Sequence, residues 1–447
     1  MALSSCTKLR YCGLALAALF GCASPAFAQA ADRPHQGLFG EPSAGTSGDN
    51  ASLTLTIAEA YDQDVSGAAG LVPTSPQTNR LFTRLAADFS YRADGRNVQF
   101  ASTAGGNFRY YSDQDRVSGV AHHAGAGLSA NLSRTTSLLI NQTVAYSPSY
   151  LYRLFASVAP SEPGQANVGS NYGVNDNPSY SYDTNIAVTQ RMGRRNRLSM
   201  AVGGRYTDYV GVTSIADDAE PLRDLMSYET GVTFIRDAGR SGHVNLGYTF
   251  KRAQYLGSDA TAHGLNIGFD YDRPLSPTRR TQLKFSVGSV MLQALAVDAS
   301  QGNLRQRYQF SGDMALSRQF GRTWQASGAY RRSVGFMEGF SSPVLLDAIT
   351  VSTTGRFSPR ADLLLTASYS LGDAAVARAS TSSGFSSYTG NVRTRVALTS
   401  FLAVYGEYLY YFYDFSNSIL LPIGAPPKMS RNSAHLGLTV YVPMGRR

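Results

Sequence analysis

The chain is short of charge, of tryptophan and of long apolar runs. Asp, Glu, Lys and Arg make up 16% of its 447 residues, well under the roughly one quarter of an ordinary soluble protein. No uninterrupted apolar run reaches the ~20 residues of a membrane-spanning helix, and hydrophobic residues total only 43%. A helical membrane protein is thereby excluded. Tryptophan occurs once and cysteine three times. Cys6, Cys12 and Cys22 all stand near the start, so the remainder has no disulfide framework. No Gly-rich phosphate loop ending in Lys and Ser or Thr is found.

What is present is glycine (43), tyrosine (27) and phenylalanine (21). That mixture fits a sheet with many turns and a surface half apolar, half polar. The formal charge is +9, but the cations are spread along the chain. Together with a secretion signal, that spread argues against a nucleic-acid partner. Lys8 and Arg10 precede the apolar stretch "CGLALAALFG" (12–21), and "PAFAQA" offers a small-x-small cut after Ala28. Residues 1–28 therefore read as a signal peptide. A lipoprotein signal, "LFGC" with Cys22 lipidated, is the alternative; Phe20 is bulky where such a signal takes a small residue. Residues 29–50, rich in Gly, Ala, Pro and polar side chains, read as a flexible leader.

From residue 51 onward the dominant pattern is alternation, with apolar side chains at every second position. Examples are Leu53, Leu55, Ile57; Leu81, Leu85, Phe89, Tyr91; Val244, Leu246, Tyr248, Phe250; Leu265, Ile267, Phe269, Tyr271; and Leu436, Leu438, Val440, Val442. There are about 18 such segments, 16 being the alternative, each about the length of a tilted membrane strand. Short connections such as "ADGR", "SRTT", "MGRRN", "QFGRT" and "TSF" take turns with mostly longer ones, such as 62–78, 148–178 and 212–224. "DQDR" at Asp113 and "DRPLSPTRR" at Asp272 break the rule. The expected fold is all-β: a transmembrane up-and-down antiparallel barrel over residues 51–447, with an even strand number and tight turns on the periplasmic side.

The stretch "VALTSFLAVYGEYLYYFYD" (396–414) shows why a barrel is needed. Even positions hold Leu402, Val404, Gly406, Tyr408, Tyr410 and Phe412; odd positions hold Ala403, Tyr405, Glu407 and Tyr411. Lipid outside and water inside satisfy both faces. A three-residue loop at Thr399, Ser400 and Phe401 sets Val396 against Val404 and Arg393 against Glu407, giving the carboxylate an inward guanidinium. At Asp94-Gly95 the expectation is a two-residue hairpin turn, with Tyr91 opposite Val98 and Phe89 opposite Phe100.

With its "PAFAQA" signal, its alternating strands, its turn and loop asymmetry and its closing strand "SAHLGLTVYVPM", the chain resembles Gram-negative outer-membrane β-barrel proteins of the porin type. The resemblance implies the outer membrane as location, membrane lipid and the barrel-assembly machinery as partners, and a periplasmic place for the leader. It names no solute and no oligomeric state. Such barrels often end on an aromatic residue that the assembly machinery recognises, whereas here Tyr441 is followed by "VPMGRR".

No catalytic, metal or cofactor site is expected. The histidines are His35, His122, His123, His243, His263 and His435. Adjacent His122 and His123 point to opposite faces of a strand and cannot share a metal. Ser433 and His435 share a face, but no GxSxG elbow accompanies them. The inward charges say more. Arg84, Arg109, Arg205, Lys251, Lys284, Arg305, Arg307, Arg331, Arg393 and Arg395 are expected to line the lumen, with Asp88, Asp183, Glu229, Asp270, Asp313 and Glu407. A positive excess favours anions; pairing across strands would instead leave little net field, and both readings stand. The expected function is a channel for polar, anionic solutes or a polysaccharide strand. The alternative is a non-conducting structural or surface-interaction barrel acting through its external loops.

Overall fold

The computed structural model describes residues 50–64, 80–111, 116–117, 120–147, 178–210, 224–239, 242–255, 258–271, 281–295, 304–321, 323–337, 340, 343–375, 384–415 and 427–444. The expected signal peptide and leader, apart from Asn50, lie outside these. The first strands are β1 (Asn50–Asp64), β2 (Arg80–Asp94), β3 (Val98–Tyr111), β4 (Arg116–Val117), β5 (Ala121–Asn131) and β6 (Thr136–Ser147). Then come β7 (Ser179–Arg191), β8 (Asn196–Tyr209), β9 (Leu225–Asp237), β10 (Gly242–Tyr255), β11 (Ser258–Tyr271) and β12 (Thr281–Leu295). The last are β13 (Leu304–Phe320), β14 (Trp324–Gly335), β15 (Val344–Ser358), β16 (Ala361–Ala374), β17 (Phe385–Ala397), β18 (Leu402–Asp414) and β19 (Lys428–Pro443).

Each strand pairs antiparallel with its neighbours in sequence, and β1 pairs with both β2 and β19. The sheet therefore closes on itself. The two-residue β4 only extends the end of β3, leaving an 18-strand wall. Closure removes the unpaired edges that a lipid phase forbids.

Side-chain burial follows the alternation. On β1, Leu55 and Ile57 are exposed while Ala58, Ala60 and Asp62 are buried. The exposed set continues around the outside through Leu85, Ile186, Val202, Leu246, Leu265, Ile267, Val287, Ile349, Val392 and Leu436. So large an apolar belt would aggregate in water, but a bilayer solvates it. This is a membrane-spanning barrel. Aromatic rings gather at the long-loop end of the outer face: His122 stacks on Tyr146 with centroids 4.9 Å apart, Tyr146 meets Tyr180 at 4.8 Å, and Tyr369 meets Tyr388 at 4.7 Å. Amphipathic rings settle at a membrane–water boundary for this reason.

Three short connections use a left-handed glycine, Gly193 (φ 90°), Gly239 (φ 95°) and Gly321 (φ 60°). The loop at 399–401 gives the expected register, Val396 against Val404 and Arg393 against Glu407. The register at Asp94-Gly95 differs from expectation. Asp94 pairs Gln99, so Tyr91 faces Ser102 and Ala93 faces Phe100. The turn is displaced by two residues: Gly95 N–H donates to the Val98 carbonyl at 2.8 Å, which leaves Arg96 and Asn97 at the tip, and Gly95 is not left-handed. The shift is even, so every side chain keeps its face.

The wall parts at one seam, between β13 and β14, while β15 stays paired with β16 as far as Val344 and Ala374. β12 and β13 stay paired up to Leu295 and Leu304, but β13 and β14 pair only as far as Gly312 and Arg332. Beyond that level β14 and β15 continue together to Gly335 and Val344. Both faces of this hairpin end are buried: Val334 is 5% exposed and Val344 0%.

Candidate functional site

The inner wall is polar, and one network dominates the arc from β17 through β19 and β1 to β3. Glu407 accepts from Asn391 Nδ2 at 2.8 Å and meets Arg84 Nη1 at 3.5 Å. Arg84 stands on β2 and Glu407 on β18, with β19 and β1 between them. Small inward residues open that path. Ala58 and Ala60 are buried on β1, and Gly437 opposes Ala58. A Cβ at Gly437 would strike the Ile57 carbonyl and Ala58. The long arginine can thus lie flat across two strands. Arg393 sits opposite Glu407 in register, but the carboxylate's 4 Å contacts are with Arg84 and His435.

The same arc contains pairs that sequence reasoning missed. Asp62 meets Arg431 at 2.5 Å, and Asp362 meets Arg395 at 2.6 Å. Asp62 opens the stretch 62–78 read as a connection, and Asp362 follows the turn at Pro359 and Arg360; both fall at inward positions inside strands. The alternation, extended a few residues past each apparent strand end, would have found them. Arg109 is 8% exposed, with its guanidinium 5.5 Å from the Phe82 ring.

Across the lumen, Arg205 meets Asp183 at 2.5 Å and Lys251 meets Glu229 at 3.1 Å. Register puts Lys284, Arg307 and Arg331 on the inner face as well. These three have no ion pair among the described residues. Arg305 falls on the inner face by backbone register, opposite Ala294, and Asp270 does so opposite Lys284; their side chains lie outside the described residues. A cavity of about 320 Å³ opens on this side, lined by Lys251, Glu229, Asn266, Ser286, Asp313 and Arg331 among others. Asp313 accepts a hydrogen bond from Ser286 Oγ.

Ser433 and His435 raise the question of catalysis afresh. Ser433 Oγ and His435 Nε2 are 2.6 Å apart, and Glu407 lies 3.9 Å from Nδ1. A nucleophilic triad needs Nε2 free of its proton, to accept from the serine. Here Arg84 Nη1 is 3.5 Å from Nδ1. Guanidinium only donates, so Nδ1 accepts and Nε2 carries the proton toward Ser433. Ser433 also hydrogen-bonds Asp62. The chain Arg84, His435, Ser433, Asp62, Arg431 ties β19 to β1 and β2, and its polarity is the reverse of an activated serine. His122 and His123 face opposite sides: His122 stacks on Tyr146 outside, and His123 lies inside against Gly105 and Asp88.

No family model matches the chain, and no curated protein matches it. Solved barrels do resemble it. The crystal structure of Pseudomonas aeruginosa OccK11 (OpdR) is 14% identical, covering 89% of this chain and 96% of that one, with a TM-score of 0.41. Pseudomonas aeruginosa OccK2 (OpdF) in complex with glucuronate is 13% identical over 89% and 98%, with a TM-score of 0.42. Acinetobacter baumannii OccAB1 is 12% identical over 89% and 97%, with a TM-score of 0.41. No residue role passes from them to this chain.

Proposed function

We propose that this outer-membrane β-barrel is a porin-like channel for small polar solutes, with anions preferred. The observation that carries the reading is an imbalance on the inner face. Asp62, Asp183, Glu229, Asp362 and Glu407 each have a cation within 4 Å. Lys284, Arg307 and Arg331 have no such partner among the described residues, and neither do the inward carboxylates Asp88 and Asp313, which leaves three cations against two anions. An 18-strand wall is wide enough to enclose an aqueous path, and uncompensated cations in it attract anions. The cations expected to line the pore, Arg84, Arg109, Arg205, Lys251, Arg305, Arg393 and Arg395 with these three, together with Glu407, are assigned that role here. The lipid of the outer membrane and the barrel-assembly machinery are the proposed partners.

In planar bilayers at low salt, the purified barrel conducts with a reversal potential on the anion side. The preference falls as salt shortens the Debye length from about 10 Å at 0.1 M to about 3 Å at 1 M. Arg307→Gln with Arg331→Gln moves the reversal potential toward cations without abolishing conductance. A barrel that inserts and carries no current refutes the channel and leaves the surface-interaction barrel in its place. Cation preference in the wild type refutes the assignment of these three residues.

A further inference from the structure

The end of the barrel that carries the short turns is charged with one sign. Arg96, Arg134, Arg194, Arg195 and Arg360 stand at the tips of the β2–β3, β5–β6, β7–β8 and β15–β16 turns, all of them exposed. Arg236 and Arg318, near the ends of β9 and β13, share the outward parity of Phe234 and Met314. None of these seven has an ion pair among the described residues, and the carboxylates described at this end are held by other cations. Asp94 meets Arg92 at 2.9 Å, Asp237 meets Arg197 at 3.2 Å, and Asp362 meets Arg395 at 2.6 Å. The long-loop end is different. There Arg252, Arg332, Lys428 and Arg431 meet Asp259, Asp347, Asp414 and Asp62, all within 3.4 Å. Among the described residues, uncompensated rim cations therefore crowd the short-turn end.

Apolar side chains stand among these arginines. Leu132, Met192, Phe357 and Leu398 are each more than half exposed. Leu132, Met192 and Leu398 keep the outward parity of β5, β7 and β17, and Phe357 packs edge-on against Trp324 with centroids 4.9 Å apart. Such rings favour a membrane–water boundary. Arg318 lies over the Phe320 ring, 4.9 Å from its centroid, and its Nε has no hydrogen-bond partner among the described residues. Apolar side chains at the turns hold the tips at the base of the headgroup layer. Arginines among them then lie at the depth of the lipid phosphates, their stems in the apolar phase and their heads in the polar one.

We propose that the short-turn rim is a binding site for acidic phospholipids, with these seven arginines holding the phosphate groups of the leaflet on that side. The planar guanidinium fork matches two phosphate oxygens at once. A zwitterionic headgroup brings its own ammonium to each phosphate, whereas phosphatidylglycerol brings none. A ring of cations without counterions tells the two apart. A soluble acidic partner would leave the sideways-facing Leu132, Met192 and Leu398 without a role. This lipid site needs only a membrane-spanning barrel, and so goes beyond the channel reading without depending on it.

Trp324, the single tryptophan, stands on this rim, opposite Phe320 in register and packed on Phe357. The barrel is reconstituted in phosphatidylcholine vesicles that contain a lipid brominated in its acyl chains, either phosphatidylcholine or phosphatidylglycerol, and quenching of Trp324 is compared. Brominated phosphatidylglycerol is expected to be several-fold the better quencher at low salt. That advantage shrinks at about 1 M salt, where the Debye length is about 3 Å. Arg318→Gln with Arg360→Gln removes the preference, and Arg318→Lys with Arg360→Lys keeps much of it. Trp324→Phe with Tyr308→Trp moves the reporter to the long-loop side, on the exposed outer face of β13, and shows no preference. Heat-modifiable gel migration checks assembly of each. Equal quenching by the two lipids around Trp324 overturns the lipid site. So does a preference that survives in the glutamine variant or recurs at position 308. Binding of soluble polyglutamate by barrels that show no lipid preference gives the rim to a soluble acidic partner instead, and also overturns it. A barrel that carries no current refutes the channel and leaves this test standing.

Discussion

Arginine in place of Ile57 destabilises the folded barrel by about 2–4 kcal/mol, the cost of a cation near the middle of the lipid face. Ile57 is 50% exposed on the outside, between Leu85 on β2 and Leu438 on β19. Nothing there pairs with a charge, and lipid does not solvate one. Arginine in place of Ala329 is the control. Ala329 is exposed on the opposite face, two residues from Arg331, where water reaches it. Its cost stays within ~0.5 kcal/mol, as at other open surface sites. Reversible unfolding in lipid vesicles, followed by the single tryptophan Trp324, reads both. Equal losses at the two positions overturn the division into lipid and lumen faces.

Glu407→Ala is the second large effect. Arg84 and Glu407 are 13% and 9% exposed at their side chains, and Arg393 is set opposite the same carboxylate. Removing it strands two guanidiniums against the wall. Losing one partner of a buried pair costs about 3–5 kcal/mol, much of it the penalty for the charge left behind. Arg84→Ala added to Glu407→Ala restores part of that loss, because it removes the stranded charge. The coupling measured by the double-mutant cycle is therefore large. Additive losses show that Arg84 and Glu407 do not act together.

The wall was legible because its physics is repetitive. A period of two with lipid on one side and water on the other writes itself into strands such as β11 and β19, and a one-residue error would have exposed the wrong face everywhere. Glu407 opposite Arg393 followed from the three-residue loop alone. The turn at Asp94-Gly95 was misjudged because Asp-Gly is a cue for a left-handed glycine, whereas Gly95 is not left-handed and the tip falls on the next two residues. Asp62 and Asp362 were missed because strands run on beyond their apolar residues into the connections.

The end of the β14–β15 hairpin was the largest omission. Val344-Leu345-Leu346 is a continuous apolar run, which suits a strand buried on both sides. Runs of the same length, Leu138-Leu139-Ile140 and Leu363-Leu364-Leu365, stand in β6 and β16, so this one did not single the strand out. Nothing in the sequence said that the hairpin end packs on the inner surface of β9 to β12. The alanines at 253, 260 and 262 look like ordinary small strand residues until something lies on them.

The meeting of β1 with β19 bears on how the barrel forms and fails. Thr56 and Thr439, whose hydroxyls lie 3.4 Å apart, are separated by 383 positions in the chain. Most other neighbouring strands are joined by a turn or a loop and can zip locally, whereas this register waits for the whole polymer. Contacts of such long separation are slow to find. Until they form, β1 and β19 each offer a row of unsatisfied amides to any other strand nearby. Loss of β19 therefore leaves β1 and β18 as two sticky margins, because the odd number of strands that remains can close only by pairing β1 parallel to β18, against the antiparallel pattern of the rest of the wall. Once shut, the ring has no margin from which unravelling can start. Its persistence in the membrane is governed by the rate of the first rupture, more than by the free energy that separates the closed and open forms.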